Sequence, residues 1–233
     1  MPASGFAGLR PHRPVMRSLV STEYKPAFAF SFLNPLYDVG CVVLGLGAPF
    51  SGMLLGILEN NGIADNGSVL DVGCGSGTFI AALKRRMPRV MVTGLDPDPS
   101  MLKIAEKKLA KTGATGRFVQ GFVQELEFPD ASFDLVVSTL VFHHLSPEVK
   151  QAGAEEIRRV LRPGGIFLLA DIGRQRSAAM RVLFTAFSVL DGQKDMRDNL
   201  RGILPDVLRH AGFDVNEVGS PYRGVRFFTA KKP

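Results

Sequence analysis

Asp71, Gly73, Gly75 and Gly77 crowd one short stretch, and Asp96 follows at a distance that one helix and one strand would span. A glycine-rich turn from a strand into a helix lets a ligand come close to backbone N–H groups at the helix N-terminus. Any tight turn would want the same glycines, so they decide little alone. Their spacing is G-x-G-x-G, whereas dinucleotide sites carry G-x-G-x-x-G. A carboxylate at Asp71 would attract an amine and repel phosphates. An acid at Asp96, ending the second predicted strand, stands where both hydroxyls of a ribose can be accepted. Together these residues suit a ligand with an amine, a carboxylate and a ribose but no phosphate. Cys74 occupies a place between two glycines where a small side chain is needed.

Proton chemistry would fall to His143 and His144, just past the fourth predicted strand. Either ring could act as a base, and either could simply pack or hydrogen-bond within the scaffold. Asp171, after the fifth strand, and Tyr37, in an apolar N-terminal segment, are further pocket candidates by position. Two cysteines, Cys41 and Cys74, and four histidines show no metal-ligand spacing, so no metal site is expected.

The elements that must position these groups alternate as short apolar runs and amphipathic stretches, the pattern of a parallel sheet with crossover helices. Strands are predicted at 68–72, 90–95, 116–120, 133–138, 166–170, 213–218 and 224–230. The run Leu135-Val136-Val137 suits a strand buried on both faces. Helices are predicted at 77–87, 100–111 with Ser100 as N-cap, 147–161, 176–190 and 204–211 with Gly212 closing the last. Arg162-Pro163-Gly164-Gly165 reads as a stop and a turn.

With the elements in place, the segment Val69-Leu70-Asp71-Val72-Gly73-Cys74-Gly75-Ser76-Gly77 resembles the class I S-adenosylmethionine-dependent methyltransferases. Phe128-Pro129-Asp130-Ala131-Ser132-Phe133-Asp134 and Leu161-Arg162-Pro163-Gly164-Gly165 look like the small-molecule subgroup that includes the ubiquinone and menaquinone C-methyltransferases. The resemblance covers most of 69–170. It implies an α/β, Rossmann-like fold with a seven-stranded, mostly parallel sheet, helices on both faces and an N-terminal helical lid. It also implies S-adenosylmethionine as cofactor and S-adenosylhomocysteine as product. By that resemblance Asp71, Gly73, Cys74, Gly75 and Gly77 hold the methionyl end, Asp96 the ribose, and Pro97 and Met101 flank the adenine. Gly121, Phe122, Val123 and Thr139 complete the expected cofactor contacts. One departure stands out. The family usually has an acid after the Gly121 position to accept from the adenine amino group, and Phe122 cannot accept. That loss should weaken binding by about 1 kcal/mol, unless Gln120 or Gln124 compensates.

The expected domain plan is a basic tail at 1–25, a helical lid at 26–66 and a methyltransferase domain at 67–233 with a helical insertion near 176–195. The lid (Phe28, Phe30, Phe32, Leu36, Phe50) and the insertion (Met180, Leu183, Phe184, Phe187) are rich in large apolar residues. Tyr37, Asp171 and Phe184 are the expected substrate-pocket residues. A small, largely apolar acceptor is therefore expected: a quinone precursor, a lipid or a secondary metabolite. Val39–Leu58 has the length of a bilayer span, but five glycines, Pro49 and Ser51 argue against one. The net charge of +6 is spread along the chain, as on a solvated face. A cytoplasmic setting is expected, with peripheral membrane contact, organelle targeting by the acid-poor N-terminus and a homodimer as open alternatives. No nucleic-acid partner is expected, because Asn34-Pro35-Leu36-Tyr37 lacks the second proline of the amino-methyltransferase motif. A non-catalytic binding or assembly protein on the same fold is the alternative to an enzyme.

Overall fold

The computed structural model describes residues 47–61, 64–175 and 196–233. The expectations for the N-terminal tail, most of the lid, Tyr37, the 176–190 helix and Phe184 lie outside the described residues. Seven strands form one sheet: β1 (Ser68–Val72), β2 (Met91–Asp96), β3 (Arg117–Gln120), β4 (Phe133–Thr139), β5 (Leu161–Ile172), β6 (Asp214–Glu217) and β7 (Val225–Lys231). Their order is β3-β2-β1-β4-β5-β7-β6. The first five run parallel, and β7 lies antiparallel between β5 and β6. The order reverses between β1 and β4, so the crevice of this α/β sheet opens above their carboxyl ends.

Helices cover both faces. Helices α1 (Ala48–Asn60), α2 (Thr78–Arg86) and α3 (Pro99–Ala110) bury Phe50, Leu54, Leu58, Ile80, Leu83 and Leu109 against one face. On the other, α4 (Pro147–Val160) and α6 (Leu204–His210) bury Ile157, Val160, Leu204 and Leu208. A short helix, α5 (Met196–Arg201), precedes α6. Residues 48–60, within the expected helical lid, form a helix packed into the core layer, with the Phe50 ring 5.9 Å from that of Phe227. No described helix is long and apolar enough to cross a membrane.

The local chemistry explains the boundaries. Helix α3 is capped by Asp98, whose Oδ1 accepts from the backbone N–H and hydroxyl of Ser100, so the expected Ser100 cap is displaced by two residues. Pro99 then takes the first turn, where its missing N–H costs nothing. Helix α4 starts on Ser146 and Pro147 and ends with Arg158 and Arg159 in its last turn, favourable for the helix dipole. Strand β5 begins five residues earlier than its apolar run suggests. Leu161 pairs with Phe133 across an irregular register, and Gly164 donates to Lys232 O while Lys232 donates to Gly165 O.

Candidate cofactor and base site

The glycine loop emerges from β1 and folds over the end of β2. The N–H groups of Gly73 and Cys74 both donate to Leu95 O, at 2.7 and 3.0 Å. Gly77 donates to Cys74 O at 2.9 Å, and Gly75 donates to Asp96 Oδ2 at 2.9 Å. These four amides are therefore spent inside the fold, which corrects the expectation that they reach an anionic ligand. What the glycines supply is shape. Gly73, Gly75 and Gly77 have φ of 71°, 50° and 72°, in the left-handed region that other residues reach only at a cost. A Cβ on Gly73 would sit 2.2 Å from Val141 Cγ2, so the loops after β1 and β4 touch with no room for a methyl group. The Cys74 thiol turns down onto Gly94, where a Cβ would be 2.8 Å from Sγ.

Asp71 lies in the middle of this construction and is fully buried. Its Oδ1 has no hydrogen-bond partner among the described residues. Burial first, and the nearby Asp96 second, push its pKa up to about 8. A buried carboxyl with an orphaned oxygen is costly unless a donor or cation meets it. Asp96 is also buried and raised, chiefly by desolvation, but the Gly75 and Asp98 N–H groups oppose the rise by holding its charged form. Each of its oxygens accepts one N–H, which leaves lone pairs on both for a ligand's hydroxyls. An ammonium on Asp71 and a diol on Asp96 would complete the two acids, so the residues fit S-adenosylmethionine.

At the expected adenine end, Met101 is buried and Gly121 donates to Asp96 O at 3.3 Å. Phe122 is half-buried and its carbonyl accepts from Glu125 N at 3.2 Å. Val123 points into the core, where a Cβ on Gly153 of α4 would meet its Cγ2 at 2.8 Å. Its side chain is therefore packing material, and only its backbone is left to contact a ligand. The Gln120 amide nitrogen donates to Pro97 O at 3.0 Å. Thr139 ends β4 in a half-buried position at the crevice.

Across the crevice, Leu140 adopts φ of 58° and leads into a single 3-10 turn, Phe142–His144. Asp171 builds this turn. Its Oδ2 accepts from Val141 N at 2.9 Å and Phe142 N at 2.6 Å, and its Oδ1 from Ile172 N at 2.7 Å. The same Oδ1 lies 2.7 Å from His143 Nδ1. A carboxylate holding three N–H groups is an acceptor, so Nδ1 carries the proton and Nε2 is the basic nitrogen of His143. His143 is buried, and the exposed His144 ring lies 3.9 Å from it, centroid to centroid. Asp171, a pocket candidate by position, is wholly buried and anchors His143. Asn199 of α5, which sequence reasoning passed over, brings Nδ2 to 3.5 Å from Asp171 Oδ1. Helix α5 has only six residues and no apolar repeat, so nothing local announced it.

Known proteins align with the residues that build this site. Residues 69–165 match the methyltransferase domain family. A demethylmenaquinone methyltransferase of Deinococcus radiodurans is 32% identical over 158 residues, covering 68% of this chain and 64% of the relative. A malonyl-[acyl-carrier protein] O-methyltransferase of a Paenibacillus species is 31% identical over 166 residues, covering 67% and 59%. The chain thus spans less than two thirds of the length of these curated relatives. The crystal structure of an S-adenosylmethionine-dependent methyltransferase from Aquifex aeolicus shares the fold, with a TM-score of 0.60, 20% identity and coverage of 75% of this chain and 87% of that one. Family match, relatives and sheet order agree: the chain belongs to the class I S-adenosylmethionine-dependent methyltransferases.

Proposed function

We propose that this chain methylates a small, largely apolar acceptor at the crevice between β1 and β4. One observation carries the reading: Asp71, buried with an orphaned oxygen, stands beside Asp96 under a loop in which Gly73 and Gly77 leave no room for a Cβ. S-adenosylmethionine supplies an electrophilic methyl group on a sulfonium centre and leaves as S-adenosylhomocysteine. Asp71 would hold the amine of that ligand and Asp96 its ribose, and Pro97 and Met101 would flank its adenine. Gly73 and Val141 close the loops so that donor and acceptor meet in a fixed geometry, which is most of what an in-line displacement requires. His143 Nε2 takes the proton from the acceptor's nucleophilic atom, and Asp171 keeps the imidazole in that tautomer. The exposed His144 ring lies tilted against it.

The apolar character of the acceptor is supported by the phenylalanine-rich sequences at 26–47 and 180–187 and by the names of the relatives, one of which acts on demethylmenaquinone. The test is transfer of labelled methyl from S-adenosylmethionine into an extract of small molecules and into a panel of phenols and quinols. Product that becomes labelled with the wild-type chain, and at least about a hundredfold more slowly with His143→Gln, is expected. Equal rates with His143→Gln across the pH range would remove the base from this account.

A further inference from the structure

A cavity of about 230 Å³ lies at the carboxyl edge of β5, between the strand's exit and helices α5 and α6. Gly173 and Arg174 follow β5 directly, and Arg201, Arg226 and Glu217 complete its charged lining. We propose that this cavity is a subsite of the acceptor pocket that holds an anionic group, a carboxylate or a phosphate ester, on Arg174 and Arg201. The inference rests on the methyl-transfer reading above, which it extends from an apolar acceptor to one with an acidic end.

Charge carries the first part of the argument. Three arginines face one glutamate, and Arg226 is already committed: it pairs with Glu217 and donates through Nη1 to Arg174 O at 2.9 Å. Arg174 has no hydrogen-bond or ion-pair partner for its guanidinium among the described residues. Arg201 has only Asp198, at 3.1 Å, on a side chain that is 74% exposed, and such a pair contributes little and yields easily. Two guanidinium forks are thus available around one small hollow, the geometry that carboxylates and phosphates fill best.

Place and shape carry the second. Gly202 has φ of 92°, and a Cβ there would lie 3.3 Å from Arg174 Cβ; a Cβ on Gly173 would meet Arg226 Cγ at 2.6 Å. Two glycines therefore leave the space in which the arginine stems lie. The volume is below that of a whole drug-sized site, so the cavity suits a head group, with the rest of the acceptor outside it. Asn199 joins this hollow to the base: it lines the cavity, is wholly buried, and reaches Asp171 Oδ1, which holds His143. Its Oδ1 has no hydrogen-bond partner among the described residues, a buried acceptor left unsatisfied beside the hollow.

The experiment is a calorimetric titration of the full chain, saturated with S-adenosylhomocysteine, with hexanoate, hexyl phosphate and the neutral hexanamide. We expect at least one anion to bind about tenfold or more tightly than hexanamide, and the anion preferred names the group. In the Arg174→Gln/Arg201→Gln variant that preference should fall by about tenfold or more, with S-adenosylhomocysteine affinity unchanged. Anions that bind no better than hexanamide, or that bind the variant equally well, overturn the proposal. Failure of S-adenosylhomocysteine to bind strikes the methyl-transfer reading instead, and the anion titrations are then read on the ligand-free chain.

Discussion

Replacing Asp71 by asparagine should change how the stability of the ligand-free protein depends on pH. The native carboxyl is pushed up to about 8 because burial and the neighbouring Asp96 disfavour its charge, while an aspartate of the unfolded chain titrates near 3.8. Between those values the native state keeps a proton that the unfolded state has lost. The contribution of Asp71 is therefore full below about pH 4, declines as pH rises, and is gone above about pH 8. Within that window the slope is about 1.4 kcal/mol per pH unit, or about 3 kcal/mol between about pH 5.5 and pH 7.5 as an upper bound. Asparagine keeps the shape and cannot ionise, so the variant should lose this slope. Urea unfolding of both proteins across that range, read as the difference between them, isolates the residue from other titrating groups. Saturating S-adenosylhomocysteine should flatten the wild-type curve, because its ammonium pairs with the ionised carboxylate. Parallel curves for wild type and Asp71→Asn would show that the carboxyl titrates normally and that its orphaned oxygen is not the cation site.

Two other substitutions probe the same site. Gly73→Ala must hold φ near 71° and push its Cβ against Val141 Cγ2, so it should lose about 2–3 kcal/mol of stability. Adding Val141→Ala should recover the steric part and leave about 1–2 kcal/mol, a double-mutant comparison made by denaturant unfolding. Phe122→Asp supplies the acid that the sequence resemblance leads one to expect at the adenine end. It should tighten S-adenosylhomocysteine binding by about 1 kcal/mol, roughly fivefold, as read by calorimetry.

Much of this architecture was legible because strands buried on both faces are written as continuous apolar runs. Leu135-Val136-Val137 is wholly buried in β4, and all of β1 is buried as well. Asp71 and Asp96 could be paired from sequence since both stand at the carboxyl ends of neighbouring strands. The amides of the loop could not be assigned that way. Their acceptor, Leu95 O, belongs to the next strand and is brought beneath the loop only by the register that pairs Val72 with Leu95. The early start of β5 was hidden for a similar reason: the bonds that extend it come from Lys232, at the far end of the chain. His143 and Asp171 were each singled out, but their union depends on β4 and β5 running in register from Leu135↔Ile166 to Thr139↔Ala170. The arginine cavity left no trace in the sequence, because its walls come from the residues after β5 and from α5, α6, β6 and β7, and each arginine alone reads as surface.

The central claim is that the two acids and the glycine loop select an adenosyl amino acid over a dinucleotide. Titration of the ligand-free wild-type chain with S-adenosylhomocysteine and with NAD tests it most directly. Saturable binding of S-adenosylhomocysteine is expected, with release of a proton near neutral pH as Asp71 ionises against the ammonium, and no competing heat from NAD. Absence of adenosyl binding at millimolar concentration, or binding of NAD with equal affinity, would contradict it.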